Sequence, residues 1–132
     1  MKLANLAGRL ALITDAGAVD VATASDGRFG PEPSSAYRRW NDFATWAASA
    51  PGDPEPYDAA DLGAPSPEPR QVFAIGLNYA SHAAESGMDL PSVPMVFTKF
   101  PSCIAGPTAE VPLSGTLVDW EVEIVAVIGR ES

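Results

Sequence analysis

Between Pro51 and Pro69 prolines recur with glycine, serine and aspartate among them, and no helix or central strand is expected to run through such a segment. Proline lacks a backbone donor and fixes its own φ, so the segment reads as a linker and not as a core element. It divides the 132 residues into a small N-terminal domain with its linker, residues 1–66, and a second part, residues 67–132. Apolar residues make up 46% of the chain, enough to build a core and to exclude disorder throughout.

Within the first part, the apolar stretches Leu3–Ile13 and Ala18–Ala24 flank Asp15-Ala16-Gly17, a pattern that predicts a hairpin, and a further turn is expected at Asp26-Gly27. Pro33-Ser34-Ser35 offers helix caps ahead of Tyr37, Trp40, Phe43, Ala44 and Ala47, whose spacings of three and four share one helical face. Pro51-Gly52 is expected to stop that helix. In the second part, Val72–Gly76 reads as a buried strand ending in glycine. Residues 78–86 read as a short helix with Gly87 as its C-terminal cap. Met95–Phe100, Val111–Leu113 and Val118–Gly129 read as strands.

The balance of 17 acidic against 8 basic residues gives a net charge of −9. Such a surface repels phosphate backbones and anionic lipid, so neither nucleic acid nor membrane is an expected partner. The single cysteine, Cys103, fits a reducing compartment and reads as a packed small residue. The apolar stretch Leu10–Ile13 is too short for a secretion leader, and a cytoplasmic location is expected.

Two constellations carry chemistry. In Asp119-Trp120-Glu121-Val122-Glu123-Ile124, acidic and apolar residues alternate, so on a strand the three carboxylates line one face. Carboxylates entering a core need protons, basic partners or a cation, and oxygen-only ligands suit Mg²⁺, Mn²⁺ or Ca²⁺. The alternative is a solvated edge strand with an acidic outer face. The second constellation is His82 and Glu85, three apart on one face of the expected helix. A carboxylate that accepts one imidazole proton raises the basicity of the other nitrogen, which is how a general base for water is built. A surface histidine beside a surface glutamate gives the same pattern. Lys99, a cation within an apolar stretch, is placed either to neutralise a substrate carboxylate or simply to snorkel.

Gly76-Leu77-Asn78-Tyr79 with His82-Ala83-Ala84-Glu85 resembles the GxNYxxHxxE signature of fumarylacetoacetate hydrolase-type proteins. Val96-Phe97-Thr98-Lys99 with Pro101-Ser102, and Asp119–Ile124 continuing to Val127-Ile128-Gly129, resemble two further segments of that family in the same order. The resemblance covers residues 70 to 130. It implies an α+β, mostly β fold: a small N-terminal domain followed by the start of a mixed β-roll that relatives continue well beyond this chain's last residue, so the chain is expected to be a truncated N-terminal part. It implies that Glu121 and Glu123 are ligands of a catalytic Mg²⁺ or Mn²⁺, and that His82 and Glu85 activate water on a segment that behaves as a lid in relatives. A third, aspartate ligand and a catalytic lysine lie further on in those relatives.

The implied reaction is hydrolysis of a C–C bond in an acylpyruvate- or fumarylacetoacetate-like 2-oxo acid, of the kind met in aromatic catabolism, by a homodimer. Relatives on the same fold isomerise or hydrate 2-oxo-dienoates or decarboxylate oxo acids. Leu77 occupies a place where some acylpyruvate-cleaving relatives carry Arg, which leaves the substrate subgroup open. In a reading of another class, the 132 residues are an inactive fragment or a binding module whose acidic strand is a solvated edge.

Overall fold

The computed structural model describes residues 1–49 and 52–129. They fall into two compact units, Met1–Pro67 with Ala105–Ser132, and Glu68–Ile104. The fold is α+β, with more strand than α-helix.

The first unit is built on a four-stranded antiparallel sheet in the order β3-β2-β1-β4. Its strands are β1 (Lys2–Leu6), β2 (Arg9–Thr14), β3 (Gly17–Asp20) and β4 (Leu62–Gly63). The expected hairpin about Asp15-Ala16 is present, with Thr14 opposite Gly17. The stretch Leu3–Ile13, however, is itself a hairpin. Leu6 pairs with Arg9 across Ala7-Gly8, where both φ angles are positive, at 50° and 84°. Positive φ at both central residues is the mark of the two-residue turn whose twist best matches that of its strands.

After Asp20 the chain leaves the sheet as the short helix α1 (Val21–Ala24), where a strand was expected. Asp20 decides this. Its carboxylate accepts from the Thr23 backbone N–H at 2.8 Å and the Thr23 hydroxyl at 2.7 Å, capping the turn. The same carboxylate holds Arg9 through two bonds of 2.7 and 2.9 Å.

The helix expected after Pro33-Ser34-Ser35 is α2 (Trp40–Ala47), preceded by two 3₁₀ turns. It covers the sheet. Leu10, Leu12, Val19, Val21, Phe29, Ala36 and Phe43 form the buried core, with Trp46 and Ala47 packed against it. Phe29 meets Phe43 edge to face at 5.2 Å. Pro51, the expected helix stop, lies outside the described residues.

The proline-rich segment is not a free linker. Ala18 and Glu55 exchange two backbone hydrogen bonds, of 2.8 and 2.9 Å, and Leu62–Gly63 pairs with β1 as its edge strand. Proline tolerates a sheet edge because its missing donor faces away from the ladder. Glycine is needed where this strap crosses β3: a Cβ on Gly17 would collide with the Glu55 carbonyl.

Residues 105–129, in the same unit, contain no helix or strand. The strands expected over Val111–Leu113 and Val118–Gly129 are therefore corrected to irregular chain. Alternation decides which face a side chain takes once a ladder exists, but the ladder needs a partner strand, and none among the described residues bonds to this segment. Leu117, Trp120, Val122 and Ile124 are exposed.

The second unit holds the antiparallel pair β5 (Val72–Gly76) and β6 (Met95–Lys99), in register from Val72 opposite Lys99 to Gly76 opposite Met95. Helix α3 (Ala80–Glu85) lies between them in sequence, within the range expected. Contrary to expectation β5 is only half covered: Phe73 and Ile75 are exposed while Val72 and Ala74 are partly buried. Cys103, expected to be packed, is an exposed free thiol in a 3₁₀ turn started by Pro101. Among the described residues no helix is long and apolar enough to cross a membrane.

Candidate functional site

His82 and Glu85 both stand on α3. Three residues, Leu77, Asn78 and Tyr79, join the end of β5 to the start of this helix. Tyr79 is the extended N-cap residue, and its carbonyl accepts the first helical bond, from Ala83 at 3.1 Å. At the other end Gly87 takes φ +66°, with its N–H bonded to the Ala84 carbonyl at 3.1 Å and that of Met88 to the Ala83 carbonyl at 2.9 Å. This is a Schellman cap, for which glycine was singled out at position 87. Ala83 is buried and His82 and Glu85 are exposed, so the pair lies on the outward side of the helix.

The ion pairs among the described residues are Arg9–Asp20 and Arg39–Asp42. His82 and Glu85 thus share a helix at a spacing of three without forming an ion pair. Lys99 is the last residue of β6, exposed and free of any ion pair among the described residues.

Glu121 and Glu123 belong to the other unit, on the irregular segment, and both are exposed. Neighbouring Asp119 accepts a hydrogen bond from the Trp120 backbone N–H at 2.8 Å. No Lys or Arg among the described residues pairs with these three carboxylates. Their hard oxygen donors fit Mg²⁺, Mn²⁺ or Ca²⁺ in kind. In number they fall short of the roughly six ligands such an ion takes. Among the described residues no group of three or more His, Cys, Asp or Glu side chains gathers into a metal-sized cluster.

One feature of the site was not anticipated. Leu77 has φ +51°, the left-handed region, although it is neither glycine nor asparagine. Sequence periodicity carries no signal for this.

Residues 71–132 match the family described as fumarylacetoacetate (FAA) hydrolase, C-terminal. A fumarylacetoacetate hydrolase domain-containing protein 2 homolog of Dictyostelium discoideum is 45% identical over 67 residues, covering 49% of this chain and 22% of its own length. A Burkholderia cenocepacia (strain HI2424) protein, provisionally named a hydrolase, is 45% identical over 85 residues, covering 56% of this chain and 30% of its own. A solved Mycobacterium smegmatis structure, provisionally named an HpcE protein, is 50% identical with a TM-score of 0.78. That likeness covers 86% of this chain and 40% of the solved one.

These likenesses support a member of the fumarylacetoacetate hydrolase family. All five candidate residues, His82, Glu85, Lys99, Glu121 and Glu123, lie in the stretch that matches the family's C-terminal domain. A coverage of 86% exceeds what residues 71–132 alone can supply, so the structural likeness reaches into the N-terminal part as well. The chain spans 22–30% of the length of these curated relatives.

Proposed function

We propose that the protein containing these residues hydrolyses a C–C bond in a small 2-oxo acid of the acylpyruvate or fumarylacetoacetate type. The observation that carries this reading is the placement of His82 and Glu85 on one face of a short, C-capped helix leaving a strand, within the family-matching stretch. The hydrolase names of the curated relatives support it.

One ring nitrogen of His82 donates to Glu85 once the pair closes, and the other takes a proton from water. The hydroxyl so formed adds to a keto carbon, the adjacent C–C bond breaks, and the proton on His82 returns to the departing carbon. Glu121 and Glu123 would hold Mg²⁺ or Mn²⁺, which when bound supplies Lewis acidity and a positive charge for the oxo-acid oxygens. This also offsets the repulsion between a chain of net charge −9 and an anionic substrate. Lys99 neutralises the substrate carboxylate, and the protein works as a homodimer in the cytoplasm.

A second reading on the same fold stands beside the first. The apolar Leu77 stands where, by the resemblance, some acylpyruvate-cleaving relatives carry Arg, which leaves the subgroup open to isomerisation or hydration of a 2-oxo-dienoate, or decarboxylation of an oxo acid. A screen of the full-length protein against acylpyruvates and 2-oxo-dienoates, with Mg²⁺, Mn²⁺ or chelator, separates the two. Two carboxylic-acid products from an acylpyruvate support hydrolysis. A shifted or hydrated double bond alone, or loss of CO₂, supports the second reading. Turnover of neither class leaves a binding role.

A further inference from the structure

We propose that Leu77 is a positioning residue, whose left-handed backbone fixes the direction in which α3, and with it His82 and Glu85, leaves β5. The inference deepens the hydrolase reading and rests on it for the chemical consequence, though not for the conformational one.

Three non-glycine residues take positive φ among the described residues: Ala7, Asp26 and Leu77. Ala7 and Asp26 each precede a glycine that is also at positive φ, in tight reversals of the chain. Turn geometry accounts for them. Leu77 has no such excuse. It sits at a strand-to-helix junction between Gly76 and Asn78, the two residue types that adopt this conformation most cheaply. The strain nonetheless falls on the leucine, whose Cβ is brought close to the following carbonyl.

Strain of this kind persists where the surroundings over-determine the backbone. Here both sides are fixed. Strand β5 is paired residue by residue up to Gly76 opposite Met95. Helix α3 is closed by the Gly87 and Met88 bonds and anchored by buried Ala83. Only residues 77–79 remain to turn the chain, and the left-handed step at 77 sets the turn. A glycine there, which reaches backbone regions closed to leucine, lets α3 swing, moving His82 relative to any substrate without changing its chemistry.

The test uses Leu77→Asn, Leu77→Gly and Leu77→Val in the full-length protein. Asparagine keeps the left-handed preference, glycine keeps access to it without enforcing it, and valine resists it. Hydrogen exchange at the amides of Ala83, Ser86, Gly87 and Met88, which bond within α3 or onto its last turn, is read beside kcat and KM. The expected order of disturbance is Val, then Gly, with Asn close to wild type. For Gly, faster α3 exchange should accompany a loss of about 10- to 100-fold in kcat with KM nearly unchanged. Wild-type exchange in Leu77→Gly, or an Asn variant as impaired as Val, overturns the proposal. If Val fails to fold, the Gly and Asn pair still decides. If no 2-oxo acid is turned over, the hydrolase reading fails while the exchange measurement still judges the role of Leu77.

Discussion

The N-terminal part hides its two phenylalanines, whereas the family-matching residues display theirs and their tryptophan. Phe29 and Phe43 are 2% and 0% exposed, against 64% for Phe73 and 80% for Trp120. The difference is one of layers. In the first region α2 lies over a sheet, so Leu10, Leu12 and Val19 on one side and Phe43 on the other exclude water between them. In the second, β5 and β6 form a two-stranded ribbon, which on its own is marginal in water. Residues 105–129 have no ladder among the described residues. The N-terminal part is organised by packing. The region carrying the candidate chemistry is organised by caps and turns, and its side chains stay open to whatever they act on.

A substitution that removes chemistry without touching packing should break the symmetry between the two regions most strongly. His82→Ala should lower kcat by about 10²–10⁴-fold on a substrate the full-length protein cleaves, with Mg²⁺ or Mn²⁺ affinity unchanged. His82 is exposed, so thermal stability should not move. Glu85→Gln should act in the same direction and less severely, because the imidazole remains but loses the carboxylate proposed to orient it.

The converse substitution removes packing without touching chemistry. Phe43→Ala deletes a fully buried ring and should cost about 3–5 kcal/mol, measured by denaturant unfolding through tryptophan fluorescence. Trp46, against that ring at 5.8 Å, reports on it directly. Phe73→Ala, on the exposed face of β5, should cost under about 1 kcal/mol. Equal losses would mean that the two faces are covered alike in solution and would undo the comparison.

A smaller effect lies at the sheet-to-helix corner. Hydrogen bonds from Arg9, and then those from Thr23, hold the Asp20 carboxyl well below the usual carboxylate range against a partial burial that opposes them. A carboxyl lowered on folding contributes stability that is fully present above about pH 4, its unfolded value, and is lost as pH falls toward the folded one. The corner should therefore weaken in acid. Asp20→Ala should cost about 1 kcal/mol at neutral pH through the lost cap, and should flatten the acid limb of a stability-against-pH curve.

Much of this was legible in the sequence, for local reasons. Asp15-Ala16-Gly17, the aromatic spacing over residues 37–47 and the glycine at 87 each write their structure into a few neighbouring residues. What was hidden depends on partners or on backbone detail. Leu3–Ile13 looked like one apolar stretch because Ala7-Gly8 is a weak turn signal. Val21–Ala24 became helix through one side chain, Asp20. The proline-rich segment became a strap because Gly17 lets Glu55 approach, a contact between residues far apart in sequence. At the site, the placement of His82 and Glu85 on one helix was readable from spacing. The alternation at Asp119–Ile124 was readable too, but not the absence of a ladder for it. The left-handed Leu77 was not readable at all.

The assignment of a catalytic divalent ion to Glu121 and Glu123 is met most directly by calorimetric titration of the full-length protein with Mn²⁺ and with Mg²⁺, repeated on the Glu121→Ala/Glu123→Ala double variant. Both residues are exposed in the irregular segment, so the double variant should fold as the wild type does. The predicted result is saturable binding in the wild type, lost in the double variant together with turnover of the 2-oxo acid. Undiminished metal binding and turnover in the double variant would contradict it.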